Sequence, residues 1–202
     1  MNGLSEPLFF VRHGQTDWNA KSLYQGTTDT RLSQIGSQQA LENAALLQSL
    51  LREQQIDPSQ ANLVTSPLQR AKQTAEIIGN SFAPRLTPVE NSQFRELSMG
   101  HWEGLTSPEV KERYYEERKS RKSNRWSFKP LGGESMAERC EVVENALSNL
   151  QPNSILVTHC VVLRIIFHLL GGLSKEEASA VETPHVAIWC WKSAKLHRQA
   201  QK

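Results

Sequence analysis

Short apolar runs and longer amphipathic stretches take turns along this chain. Leu8 to Val11, Asn62 to Thr65, Ile155 to Val157 and His185 to Trp191 are compact runs rich in aliphatic or aromatic residues and read as strands, with a weaker candidate at Leu86 to Glu90. Between them the apolar residues fall at helical spacing. Ser33 is placed to cap a helix that carries Gln38-Gln39-Ala40-Leu41, Leu46-Leu47 and Leu50-Leu51 and stops before Asp57-Pro58. Ser66-Pro67 predicts another, with serine as the cap and proline in the first helical position, running to Gly79. A further helix continues from His159 through Cys160-Val161-Val162-Leu163, and Ser174 with Glu177 forms a capping-box pattern for a short one. This alternation is that of an α/β fold, a three-layer sandwich in which a mostly parallel central sheet is flanked by helices.

The pattern changes between Leu105 and Leu131. After the turn signal Thr106-Ser107-Pro108, the stretch from Lys111 to Lys129 holds eight Lys or Arg residues against only Glu112, Glu116 and Glu117. It reads as a helical insertion, with the basic residues either on a solvated face or, as a cap over the active site, lending positive charge to an anionic substrate. The length suits one domain, residues 1–202, with the insertion at approximately 105–131.

Composition narrows the possible partners. A formal net charge of +2 is too small to argue for nucleic acid, so any electrostatic function must be local. Met1 to Pro7 has no basic start. The longest apolar stretch, Val161 to Leu170, is interrupted by Arg164 and His168 and is too short to span a bilayer, which points to a soluble protein without a membrane partner. Cys140, Cys160 and Cys190 are an odd number without CxxC spacing, implying neither a disulfide framework nor a zinc site and fitting a reducing, cytoplasmic setting.

The chemistry gathers where the strands end. His13 follows the first run in Arg12-His13-Gly14, with a glycine that permits a sharp turn and close approach to a ligand. Arg70 lies near the start of the helix after the second run, and His159 follows Ile155-Leu156-Val157-Thr158 and opens the next helix. Parallel strands would bring all three to one sheet edge, where open α/β sheets bind ligands. The helix start adds NH groups and the positive end of its dipole. Two arginines, two histidines and a helix N-terminus form a positive pocket suited to a phosphoryl group, whose oxygens match the guanidinium fork.

In this order the residues resemble the histidine phosphatase superfamily, the phosphoglycerate mutase-like branch 1. The likeness runs through Arg12-His13-Gly14-Gln15-Thr16 with Asn19, Gly26, Asp29 and Leu32, then Ser66-Pro67-Leu68-Gln69-Arg70-Ala71 with Gln73-Thr74-Ala75. It continues in Arg95-Glu96 with Gly100, Trp102-Glu103-Gly104, Gly132-Gly133-Glu134-Ser135 and Val157-Thr158-His159. The resemblance implies that His13 is the nucleophile forming a phosphohistidine, that Arg12, Arg70 and His159 bind the phosphoryl oxygens with help from Asn19, and that Glu96 is the proton donor. Glu103 is a rival carboxylate, and a salt bridge to Arg95 is the alternative use for Glu96. No metal or other cofactor is implied. His101, His168, His185 and His197 read as core or surface histidines, His185 with some prospect of lining the pocket, while Trp102 and Trp126 read as packing residues and Arg164 as half of a helix-face ion pair.

The sequence also departs from the family. Cys160 stands where glycine or alanine is common after the second histidine; its NH can still serve the substrate, while its side chain would narrow the site. Glu182-Thr183-Pro184-His185 replaces a segment that often carries asparagine, and Met99 replaces the tyrosine usual in mutases. With a polar tail at Lys195 to Lys202, these features favour a phosphomonoesterase acting on a small phosphorylated metabolite, as monomer or homodimer. Phosphoglycerate mutase-type transfer is the alternative. A non-catalytic phospho-ligand-binding protein would be expected to lose a reacting group, and none of the five is lost. Lys119, Arg121, Lys122 and Arg125 of the insertion suit a substrate with a second anionic group.

Overall fold

The computed structural model describes Leu4 and residues 6–199, so the start of the Met1 to Pro7 reading and the end of the predicted tail fall outside the described residues. Six strands form one sheet: β1 (Leu8–Arg12), β2 (Asn62–Thr65), β3 (Val89–Glu90), β4 (Ser154–Thr158), β5 (Ile188–Lys192) and β6 (Lys195–Gln199), in the order β3-β2-β4-β1-β5-β6. β3, β2, β4 and β1 run parallel, with Phe9 opposite Ile155 and Leu63 opposite Ile155 from the other side. β5 and β6 complete the edge in antiparallel fashion. The fold is therefore α/β with a mostly parallel sheet.

Side-chain alternation along the strands divides the core. Phe9, Val11, Ile155 and Val157 face α2 (Gln34–Glu53) and α3 (Gln69–Asn80), where they meet Leu47, Leu51, Ala75 and Ile78. Leu8, Phe10 and Leu156 face the other way, onto α6 (Met136–Ser148) and α7 (Cys160–Leu169), with Val143, Leu147, Val162 and Ile166. A four-residue α1 (Asp17–Ala20) follows β1, and α8 (Lys175–Ala180) opens with the predicted Ser174/Glu177 capping box. Among the described residues no helix is long and apolar enough to cross a membrane.

Several sequence expectations shift. The segment at 86–90 contributes only two residues of strand, because Pro88 lacks an NH for the ladder. Strand β5 begins at Ile188, not His185. The expected tail, as far as it is described, is edge strand β6. The helix after Ser66-Pro67 starts at Gln69, and Ser66 is not its cap: its hydroxyl accepts from the Leu68 NH at 3.3 Å, ahead of the helix, and meets His159, while the first turn is held by Asp29 Oδ1, which accepts from the Gln69 NH at 2.7 Å.

The insertion folds as α4 (Ser107–Arg113) and α5 (Tyr115–Ser123). Thr106-Ser107-Pro108 is a helix start, since Thr106 and Glu109 form a capping box with proline in the first turn. Trp102, fully buried, donates its indole NH to Glu117 at 3.0 Å and fastens this unit to the body. Trp126 is also buried, so both tryptophans are packing residues as expected.

Candidate active site

His13 leaves the end of β1 with its NH donated to Thr158 O at 2.9 Å, which ties it to the end of β4. The next residue explains the glycine. A Cβ on Gly14 would stand 2.1 Å from Gly36 O, and one on Gly36 would stand 2.0 Å from Gln15 O. The close approach that requires glycine here is between this backbone and the start of helix α2.

The tautomer of His13 follows from one contact. Its Nδ1 lies 2.7 Å from Gly14 O, and because a carbonyl only accepts, Nδ1 carries the proton and Nε2 keeps its lone pair. Burial, together with the positive fields of His159, Arg70 and Arg12, holds the imidazole well below the ordinary histidine range, against the opposing effect of the Gly14 bond. Neutral His13 thus keeps an unprotonated Nε2.

Around it stand donors with unused hydrogens. Arg12 gives Nη1 to Thr183 O at 2.7 Å, and Arg70 gives Nη1 to Thr28 O at 3.0 Å and Nη2 to Gly26 O at 2.7 Å. His159 meets Ser66 Oγ through Nε2 at 2.7 Å, and its ring centroid is 5.1 Å from that of His13. Arg12 Nε, Arg70 Nε and His159 Nδ1 are buried without partners among the described residues. Buried polar atoms are nearly always bonded, so three orphaned nitrogens beside His13 make an arrangement suited to an anion. Burial pushes Arg70 down to about 10, leaving it charged at neutral pH, and burial with Arg70 and Arg12 lowers His159 well below its usual range.

The loop that holds Arg70 explains other motif residues. Glu103 accepts from the NH groups of Thr27, Thr28 and Met99 at 2.8–3.0 Å and from the Thr28 hydroxyl. Its burial alone would raise the carboxyl, but these bonds, led by those from Thr28, hold it below the usual range. The rival carboxylate is therefore a clamp on the Gly26 to Thr28 loop, whose carbonyls orient Arg70.

Glu96 is 5% exposed, and its oxygens accept from Leu97 NH at 3.0 Å and from Val161 NH, in the first turn of α7, at 3.2 Å. Burial raises its carboxyl above the usual range despite Arg70, the two NH groups and Arg12. One helix-start NH is thus spent on Glu96 and not on the ligand. Arg95 pairs with Glu134 through two bonds of 2.7 and 2.8 Å, which disposes of the Arg95–Glu96 alternative.

Two predicted binding residues have structural partners. Asn19 accepts from Thr16 NH and donates to Gln25 at 3.1 Å each, so it shapes the turn after β1. Cys160 opens α7, and its sulfur accepts from the Thr183 hydroxyl at 3.2 Å. Sequence reasoning missed the use of Ser66 and understated His185. The latter donates Nδ1–H to His13 O at 2.7 Å, with ring centroids 5.7 Å apart, and burial lowers it to about 4. Its position just after Pro184, at the start of a run read as a strand, was the available signal.

The comparisons agree with this geometry. The sequence profile of the histidine phosphatase superfamily (branch 1) matches residues 8–197. The chain is 31% identical over 182 residues to a 2,3-bisphosphoglycerate-dependent phosphoglycerate mutase of Cytophaga hutchinsonii, covering 87% of this chain and 82% of that one. Over 104 residues, 52% of this chain and 49% of the other, it is 41% identical to an uncharacterized phosphatase, PhoE, of Bacillus subtilis. It is also similar to a solved mycobacterial glucosyl-3-phosphoglycerate phosphatase in complex with VO3, with a TM-score of 0.77 and 25% identity over 97% of this chain and 98% of that one. Profile, relatives and fold together establish that the chain belongs to branch 1 of the histidine phosphatase superfamily.

Proposed function

We propose that the protein is a metal-independent phosphomonoesterase that hydrolyses a small phosphorylated metabolite through a phosphohistidine on His13. The observation carrying this reading is the His13 tautomer: Nδ1–H is held by Gly14 O, so Nε2 is free to attack, and three unpartnered buried nitrogens, of Arg12, Arg70 and His159, belong to the side chains whose charge or ring lies beside it. In the first half-reaction His13 Nε2 attacks phosphorus in line and forms the N–P bond. The P–O bond to the alcohol breaks, and the departing oxygen takes the proton of Glu96. Arg12, Arg70 and His159 bind the remaining phosphoryl oxygens and stabilise charge in the transition state. In the second half-reaction Glu96, now ionised, takes a proton from water as its oxygen attacks phosphorus, and the N–P bond breaks to release phosphate.

The names of relatives such as the Cytophaga protein favour a second reading, mutase-type return of the phosphoryl group to another hydroxyl. Met99, in the place of the tyrosine that the family resemblance leads one to expect in mutases, favours hydrolysis. Cytoplasmic placement belongs to the same proposal and is supported by three free cysteines. Turnover of p-nitrophenyl phosphate in excess chelator, abolished in His13→Ala, is the expected result. A parallel assay should find release of phosphate from phosphoglycerate exceeding its isomerisation; no turnover from acidic to neutral pH, or isomerisation faster than release, would defeat the reading.

A further inference from the structure

After the His13 NH, which still bonds the end of β4, the chain leaves the sheet and side chains take over its peptide groups. The His13–Gly14 peptide is gripped on both sides: its oxygen accepts from His185 Nδ1 at 2.7 Å, and its NH donates to the Thr74 hydroxyl oxygen at 3.1 Å. A single bond would let that plane swing about its Cα–Cα axis, whereas opposed bonds fix it. The following peptide carries the Gly14 oxygen that binds His13 Nδ1, and its NH donates to Gln39 Oε1 at 2.8 Å. Glycine has no Cβ to stiffen the join between these planes, so the direction of the Gly14 oxygen depends on both. That direction decides which ring nitrogen of His13 keeps the proton.

His185 belongs to no strand, so its ring is placed by the fastening of residues 181–185, between α8 and β5. Arg164 gives Nε to Val181 O at 3.0 Å, and the ion pair expected of that arginine is absent among the described residues. Thr183 donates its hydroxyl to Cys160 Sγ, and its carbonyl accepts from Arg12 Nη1. At the far end Asn43 reaches the His185 oxygen at 2.7 Å, and because a carbonyl only accepts, the amide NH2 faces it. Asn43 has no exposed surface, and its Oδ1 has no partner among the described residues. An aliphatic side chain there would leave no polar atom unmet, so what the amide supplies is its bond to His185. Gln39 and Asn43 stand one turn apart on α2, so one helix face holds both the peptide after His13 and the backbone of His185.

We infer that His185 and Asn43 are positioning residues for His13: Asn43 sets the place of the His185 backbone, and the His185 ring holds the peptide that aims the Gly14 oxygen at His13 Nδ1. They act through His13, by keeping its Nε2 unprotonated and in one orientation. For its effect on rate the inference rests on the reading of His13 as nucleophile; for its effect on the tautomer it rests on geometry alone. His185→Leu, which removes the donor, should lower kcat on p-nitrophenyl phosphate by about tenfold to a hundredfold, since a misplacement of about 1 Å costs about 10²-fold. Asn43→Ala should lower it by about fivefold, the value of one hydrogen bond. Calorimetric affinity for inorganic phosphate should stay within about threefold in both, because Arg12, Arg70 and His159 keep their own bonds. His185→Asn puts an amide NH2 where Nδ1 stood and should restore kcat to within about fivefold of wild type.

The tautomer is read without turnover, which separates this inference from the phosphatase reading. With 15N-labelled histidine, long-range 1H–15N spectra resolve the ring nitrogens of the six imidazoles, and His13→Gln identifies the His13 signals by their loss. Wild-type His13 should show a protonated Nδ1 and a bare Nε2 as one species. His185→Leu should show a mixture that includes Nε2–H, and His185→Asn should return to the single form. Retained phosphate binding shows that a variant is folded. His168→Leu controls for lost stability: it removes the like bond from His168 Nδ1 to Leu173 O at 2.7 Å, near the other end of α7, and should leave the His13 tautomer and kcat as they were. A tautomer shift in His185→Leu, in a protein that turns over no phosphate ester, would sink the phosphatase and keep the positioning role. An unchanged tautomer in His185→Leu, or an equal loss of kcat in His168→Leu, would overturn it.

Discussion

Replacing Glu96 by glutamine removes one proton and almost nothing else, so it isolates the acid step. The carboxyl is buried, and its two oxygens accept from Leu97 NH and Val161 NH. A glutamine oxygen can take one of those bonds, while its NH2 faces the other donor. One unsatisfied buried NH costs about 1–3 kcal/mol of stability, and in a chain of this length each kcal/mol lowers Tm by about 2–4 °C. The catalytic effect depends on the leaving group. General acid catalysis contributes about 10²–10⁴-fold, or about 3–5 kcal/mol of barrier. An alkyl phosphate needs all of it, whereas p-nitrophenolate leaves without a proton. Single-turnover rates of phosphoenzyme formation should therefore fall by about 10²–10⁴-fold for an alkyl phosphate and less than about tenfold for the aryl ester. Because burial raises Glu96 above the usual carboxyl range, the wild-type alkyl rate should also decline on the alkaline side as the proton is lost. Equal losses on both substrates, or an unchanged alkaline limb in the variant, would refute the assignment of Glu96 as the acid.

Other consequences follow from the same geometry. Ser66→Ala removes the hydroxyl that meets His159 Nε2 at 2.7 Å and should lower kcat about fivefold for a bond worth about 1 kcal/mol, and, because it leaves a buried ring nitrogen unpartnered at about 1–3 kcal/mol, should also lower Tm by about 2–4 °C per kcal/mol; an unchanged kcat would show that the contact does not orient His159. Gly36→Ala would drive a Cβ into Gln15 O, and overpacking of this kind costs about 1–3 kcal/mol or more, so scanning calorimetry should show a clear drop in Tm together with reduced kcat. His185 titrates lower in the folded protein, at about 4, than in the unfolded chain, where the usual value is 6.5. The unfolded state then binds more protons in that window, so stability is full above 6.5 and falls as pH drops toward 4. His185→Gln should flatten this slope in denaturant titrations; a slope identical to wild type would contradict the burial argument.

What could be read from the sequence, and what could not, divides along the range of the contacts. His13, Arg70 and His159 sit next to strands or helix starts defined by local hydrophobic pattern, so their meeting at one sheet edge followed once the strands were taken as parallel. Glu96 had no such local signal and came from its place in the family pattern. Partners distant in sequence were invisible. Asp29 caps the helix of Arg70 from 40 residues away, and Ser66 reaches His159 across 93. Local cap chemistry gave Ser66 the nearer role, and tertiary contact overrode it. Likewise the insertion was visible as a basic run, but only the packing of α5 against Tyr24 and Trp102 separates its inward arginines from its solvated lysines.

The most direct test of the account is the site of the covalent phosphate. Acid-labile, alkali-stable label should be trapped by rapid quench during turnover, map to His13, and appear by 31P NMR as the Nε2 isomer, because Nδ1 is held by Gly14 O at 2.7 Å. Label on His13 Nδ1, on His159 or His185, or turnover with no trapped phosphohistidine would contradict it.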